Sequence, residues 1–431
     1  MKSTQSKAVS RRAPRPVRVP PPLTRGDEKF EGSSVLTEFE GDFGILLWQS
    51  LRNVLLWSST DPARRKGLFS SGAEERRRVK LLSAEVDDAL RAPLAVIARL
   101  LADPAGADRR RVSSACLKIA EWAEKKEALA TALAFTQAAA LTGSNDARIS
   151  YAVGRIARQR AEYPRAETWF RRAILLGRQG GDWESYALAF GGLGNLYVQR
   201  GNLPAAQKAH LRAFRAAKRK GLRNIQANSL HDLFVIAAER SQIREAEELA
   251  GAALRTYGPG HARLPFFAHD VAYFWLRQSL FSSALVVLSA LRSHFERPND
   301  QALVLAHIAR AAAGTGNRER YDEVWQEAMK LVGSSGTSNR AAAVFLALAD
   351  AAAEAEDWER TTTAAQRALL LADTREEAQT KEAAEARLKE AAELKGRPSA
   401  EGVTPEPWIL DHADSLAENF ARSLGTQVIA R

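Results

Sequence analysis

An alanine returns at a near-constant step along the middle of this chain, each time inside the same local pattern. Ala166, Ala206 and Ala246 stand 40 residues apart (206 − 166 and 246 − 206). Around Ala206 lie Leu193, Gly194, Tyr197, Gly201 and Ala213; around Ala166 lie Val153, Gly154, Phe170 and Ala173; around Ala246 lie Leu233, Ala237 and Ala253. Alanine is abundant here, so a single match means little. The joint spacing of small, aromatic and turn residues carries the reading. A self-similar step of about 20 to 50 residues marks a stacked repeat array, in which each unit buries its apolar face only against its neighbours.

Each unit reads as two amphipathic helices joined by a short turn. In the clearest one, Leu188, Phe190, Leu193, Gly194 and Tyr197 fall at helical spacing over 185–199. Gly201-Asn202 is a stop, because glycine adopts the left-handed conformation past a helix end. Pro204 then suits a new helix start, where its missing N–H is no loss. Ala206, Leu211, Ala213 and Phe214 form one face of the second helix. Gly194 and Ala206 are expected where the two helices cross closely, so that a larger side chain would push them apart.

These residues resemble the tetratricopeptide family, whose pattern wants a leucine-glycine pair and a tyrosine on the first helix, then alanine, an aromatic and alanine on the second. Leu193, Gly194, Tyr197, Ala206 and Ala213 match, with His210 where an aromatic is usual. Gly154, Ala166, Phe170 and Ala173 match in the unit before; Leu233, Ala246 and Ala253 match in the unit after, with Phe234 in place of the small residue. Weaker copies run through Val271, Ala272 and Ala284, then Ile308, Ala309, Gly316, Trp325 and Ala328, then Leu348, Ala349, Trp358 and Ala368; a divergent copy precedes, around Trp122, Phe135 and Ala138. The resemblance covers roughly 112–372. Its step of about 40, against the usual ~34, looks like the extended-repeat variants of bacterial regulatory proteins. The fold class expected is all-α: a right-handed α-solenoid of stacked antiparallel helix pairs, at least six of them.

The flanks divide further. Residues 1–34 read as a disordered basic tail, since the run from Arg15 to Pro22 can neither form a helix nor bury a core. Residues 1–30 give 8 − 2 = +6 of the chain's net +11, leaving +5 for the rest. That weakens any nucleic-acid argument from overall charge. Residues 35–111 read as a helical region packing on the array, with an apolar helix from Phe43 to Trp57 too short to span a bilayer. A second helical block follows from Ala73 to Leu101, with Pro93 expected to start a new helix or kink the old one. Residues 373–396 read as a charged capping helix, and 397–431 as a linker and a final helix that folds back or docks a partner. The single Cys116 excludes an internal disulfide and reads as a buried small hydrophobe. The expected location is cytoplasmic, because no apolar span and no secretory leader are seen.

The motifs of phosphate loops, zinc sites and nucleophile elbows are not found, so no enzyme, cofactor or metal is expected. His231-Asp232 and His269-Asp270 recur 38 residues apart (269 − 231) and read as polar contacts, since a metal would need a third ligand. What the resemblance implies for binding is a concave groove lined by first helices. Carried over, its positions are Tyr151, Arg155, Arg158 and Gln159, then Asn195 and Gln199, then His231, then His269, Tyr273 and Arg277. Amide, guanidinium and phenol groups suit capture of an extended, acidic or carboxylate-bearing peptide. The basic stripe from Lys208 to Arg223 reads as a solvated outer face, because no aromatic stacking platform is interleaved with it. Direct nucleic-acid binding is therefore not expected. The leading function is a protein-interaction scaffold; the alternative is a ligand- or peptide-sensing regulator acting through a partner.

Overall fold

The computed structural model describes residues 32–143, 145–334, 340–374, 377–394 and 406–429. Most of the basic tail and the stretch 395–405 before the final helix lie outside the described residues. Among the described residues every regular element is helical. The chain divides into two compact units, 1–229 and 230–431.

The first unit opens with α1 (Ser34–Glu38), α2 (Gly41–Ser59), α3 (Ala73–Ser83) and α4 (Asp88–Ala102). Three pairs follow: α5 (Arg109–Lys125) with α6 (Leu129–Thr142), α7 (Ala147–Gln159) with α8 (Tyr163–Gly180), and α9 (Trp183–Gln199) with α10 (Leu203–Lys220). The unit closes inside α11 (Arg223–Glu239). The apolar α2 packs on α6 and α4, burying Leu46, Leu47, Leu51, Val54 and Trp57. Glu38 then reaches α6 and accepts the N–H groups of Ala130 and Thr131 at 2.8 and 2.7 Å. Those are donors that a helix start leaves without intrahelical partners. Among the described residues no helix is long and apolar enough to cross a membrane.

One boundary differs from expectation. The break in the second helical block falls at 84–87, and Pro93 lies inside α4. Asp87 decides it: its carboxylate accepts the Ala89 N–H at 3.0 Å and the Trp122 indole N–H at 2.9 Å. The Asp87 cap and its contact with Trp122 place the helix start ahead of Pro93.

The second unit continues with α12 (Ile243–Tyr257), α13 (Leu264–Arg277), α14 (Phe281–Leu291), α15 (Pro298–Gly314), α16 (Arg318–Ser334), α17 (Ala341–Glu354) and α18 (Trp358–Thr374). With α11–α12, α13–α14, α15–α16 and α17–α18 there are seven helix pairs among the described residues. The alanines that set the repeat, Ala166, Ala206, Ala246, Ala284, Ala328 and Ala368, are all fully buried. The step between successive first helices is uneven, however: 298 − 264 = 34 from α13 to α15, but 341 − 298 = 43 from α15 to α17.

All seven pairs close in the same way. One left-handed residue sits in each turn: Glu127, Ala161, Gly201, Ser241, Ser279, Gly316 or Glu356, with φ between 54° and 75°. The next N–H reaches back five residues, as from Asn202 to the Tyr197 carbonyl at 2.8 Å and from Asp357 to that of Ala352 at 2.9 Å. This bond satisfies a carbonyl that the helix end would otherwise leave open.

Two further helices complete the unit. The charged α19 (Ala378–Leu394) packs on α18 and α17, burying only Ala384 and Ala391, and Arg387 donates to Asp350 at 2.6 Å. The final α20 (Pro407–Ile429) folds back onto α14, α12 and α13. Its contact face is Ile409, Ala413, Leu416, Ala417, Phe420 and Leu424, whereas Leu410 stays exposed.

A buried carboxylate lies under that helix. Glu247 of α12 accepts the Trp275 indole N–H at 2.5 Å and meets His412 Nδ1 at 2.8 Å. Burial pushes its carboxyl above the ordinary value of 4.5, while the hydrogen bonds from Trp275 and His412 pull the other way. A carboxyl raised in the fold binds its proton more tightly folded than unfolded. Its contribution is present below pH 4.5 and is lost as pH rises through the folded value. Thermal melts between pH 5 and neutrality should therefore fall more steeply for the parent chain than for Glu247→Gln, which keeps an acceptor for Trp275. Parallel slopes would show that Glu247 is not buried as a costly charge.

Candidate functional site

First helices of consecutive pairs lie side by side in a stack, so equivalent positions on them meet. In the second unit this brings α11, α13 and α15 together through a string of polar side chains. His231 Nε2 lies 2.8 Å from Asp270 Oδ2. An ionised carboxylate can only accept, so the imidazole donates there, and its Nδ1 faces the Tyr257 hydroxyl at 3.4 Å. His269 Nδ1 stands 3.7 Å from the other Asp270 oxygen, and its Nε2 shares a hydrogen bond of 3.0 Å with His307 Nδ1. His269 and Tyr273 both stack on the His307 ring, at 5.0 and 5.1 Å between centroids. Tyr273 is 39% exposed and forms the outer plate of the string.

The electrostatics follow from this packing. Burial raises the Asp270 carboxyl, but the hydrogen bonds from His231 and His269 outweigh it and hold it well below the usual carboxylate range. Burial pushes the His307 imidazole well below its usual value, and the neighbouring His269 acts in the same direction. His307 is thus a neutral, oriented ring at neutral pH. Among the described residues no group of three His, Cys, Asp or Glu side chains is arranged to hold a metal ion.

The structure separates the groove residues named from the sequence into two sets. His231, His269 and Tyr273 belong to the string, and His307 joins it although the sequence reading left it out. Its signal was present: 307 − 269 = 38 repeats the spacing of the other two histidines. Arg277 lies further along α13, with Glu239 Oε1 at 3.3 Å. In the first unit Tyr151 is half-buried with its ring 6.0 Å from that of Phe170, Arg158 and Asn195 are half-buried, and Gln159 and Gln199 are exposed. Arg155 is held by Glu124 of the preceding first helix through two contacts, at 2.8 and 2.7 Å. Its charge is met from inside the fold.

The basic stripe on α10 is exposed to solvent. Aromatic rings do lie beneath it: Arg212 sits 5.5 Å from the Phe190 ring centre, Lys220 4.7 Å from Trp183 and Lys218 5.9 Å from Phe214. Phe190 and Trp183 come from α9, which is why a reading along α10 alone did not find them.

A family model for the tetratricopeptide repeat matches residues 145–219, the span of α7 to α10. No curated protein sequence matches the chain. Solved structures similar to it include a signal-transduction ATPase with a tetratricopeptide repeat sensor from Pyrococcus horikoshii, at 13% identity, 93% of this chain, 67% of that chain and a TM-score of 0.47. PilF of Pseudomonas aeruginosa matches at 13% identity, 52% of this chain, 93% of that chain and a TM-score of 0.42. The Rap conjugation gene regulator of plasmid pLS20, in complex with the Phr* peptide, matches at 11% identity, 83% of this chain, 98% of that chain and a TM-score of 0.37.

Proposed function

We propose that this chain, whose residues 145–219 match the tetratricopeptide repeat model, is a non-catalytic scaffold binding a peptide or protein segment along its first-helix faces. The observation that carries this reading is the polar string from His231 through Asp270 and His269 to His307, closed by hydrogen bonds at both ends and capped by half-exposed Tyr273. Desolvating Asp270 and aligning three imidazoles opposes folding, yet it leaves a row of polar groups with fixed directions. Groups already held in place lose little freedom when a ligand arrives. Tyr273 adds a flat apolar surface with few rotatable bonds, the kind of side chain that dominates recognition surfaces. Arg155 and Arg277 already face glutamates, so the peptide is recognised here by hydrogen bonding and stacking more than by net charge.

Panning a phage-displayed random-peptide library over the full chain tests this. Recovered peptides should bind Tyr273→Ala about ten-fold or more weakly by calorimetry, as for loss of one anchoring aromatic. The variant should melt like the parent, since the ring is partly in solvent. Should every recovered peptide bind Tyr273→Ala and Arg277→Glu as tightly as the parent, the first-helix face of the second unit is not the binding surface.

A further inference from the structure

A second candidate surface lies on the second-helix side of the first unit. A cavity of about 480 Å³ opens between α8 and α10 over α9. Leu175, Phe190 and Leu193 line it with apolar surface, and Arg171, Lys208 and Arg212 line it with charge. Leu175 is 51% exposed, an apolar side chain held at the mouth of a depression. Arg171 is committed to Glu167 at 2.7 Å. Lys208 and Arg212 are not ion-paired among the described residues, and neither are Arg215 and Lys218.

The charge extends beyond the cavity in one direction. Lys208, Arg212, Arg215 and Arg219 follow one another at steps of four, three and four residues, so they share a face of α10, and all four are exposed. At about 1.5 Å per residue the row is roughly 16 Å long. A small anion would use one end of it; a chain segment would use all of it.

We propose that this surface docks an acidic protein segment, which inserts one large apolar side chain into the cavity and lays its carboxylates along the α10 cations. Two features select this occupant. Two rings line it, and neither is an open face: Phe190 is buried, and half-buried Tyr197 has its hydroxyl tied to Glu167 at 3.2 Å, so the cavity offers no open stacking platform of the kind that binds bases. Among the described residues the row of cations faces no carboxylate, unlike Arg155 in the first-helix face. An anionic partner therefore finds charges whose Coulomb attraction is not already spent inside the fold.

The same peptide library, panned on the full-length Tyr273→Ala chain, removes binders that need the first-helix string and leaves this surface intact. The recovered peptides should cluster Asp and Glu around a Leu, Phe or Met. Their affinity, read by fluorescence anisotropy, should fall about ten-fold or more on Lys208→Glu with Arg212→Glu, and similarly on Leu175→Asp. Leu175 is half in solvent, so Leu175→Asp should keep its helix content and melting. Binding should weaken as salt is added. The proposal is overturned if no peptide is recovered, or if the recovered peptides ignore both sets of substitutions. It is also overturned if a fluorescent oligothymidylate binds with the same dependence on Lys208 and Arg212 and none on Leu175, which would make the surface a nucleic-acid site. Either failure leaves the first-helix reading untouched, because that reading is tested through Tyr273.

Discussion

Gly194→Leu should be among the most damaging single substitutions in the first unit. A Cβ built on Gly194 would come within 2.2 to 2.5 Å of the His210 ring, which is fully buried and has nowhere to move. Overpacking of this kind costs on the order of 1–3 kcal/mol, and a branched side chain at the contact belongs at the upper end. Gly154 has the same relation to Phe170, with a built Cβ at 2.7 Å from the ring. The control is Gly191, three residues earlier on the same helix, where an added Cβ meets nothing within 4 Å. Gly191→Ala should stabilise by up to about 1 kcal/mol, because alanine is the better helix former. Two glycines three residues apart are thus expected to respond with opposite sign. Gln199→Leu, at an exposed position, should change little. Urea titrations followed by circular dichroism would read all three. If Gly194→Leu and Gly191→Ala unfold at the same midpoint, the close crossing of α9 and α10 is misplaced.

Phe420→Ala should undock the final helix. Phe420 is fully buried, with ring centroids 5.6 Å from Phe267 and 6.3 Å from Trp275. Truncating a buried phenylalanine costs about 3–5 kcal/mol. Phe420 is the largest fully buried side chain that α20 brings to the contact. The loss should be local. Amide hydrogen exchange in α20 should accelerate by roughly two to three orders of magnitude, at about 1.4 kcal/mol per decade. Amides of α17 and α18, which do not pack on α20, should keep their protection. Unchanged exchange in α20 would mean that something other than this aromatic contact holds the helix.

The repeat was legible because packing leaves a periodic trace. Where two helices cross closely, only Gly or Ala fits on one side and a ring fills the other, as Gly154 with Phe170 and Gly194 with His210 show. The next unit exchanges the sizes: Phe234 holds the first-helix position and Ala250 the second, both buried. That swap makes the pattern fade while the packing volume is kept. What stayed hidden depends on neighbours remote in sequence. Glu124 holds Arg155 from one pair upstream, and Trp183 and Phe190 lie under cations of the following helix. The break before α4 falls at the Asp87 cap and not at Pro93, which lies inside the helix, because a capping side chain is a weaker mark in a sequence than a proline.

The turns carry a different lesson. Seven hairpins in one polypeptide share a single backbone torsion while the residue that adopts it is Glu, Ala, Gly or Ser. Five of the seven are not glycine, although an L-residue is strained in that region by about 1–2 kcal/mol. The surrounding pair of helices therefore dictates the torsion, and the side chain at that place is free to vary. Such a chain preserves its architecture in dihedral angles, not in letters. A comparison that weighs letters will recognise a short stretch such as 145–219, while one that weighs torsions would find the same hairpin from Glu127 to Glu356.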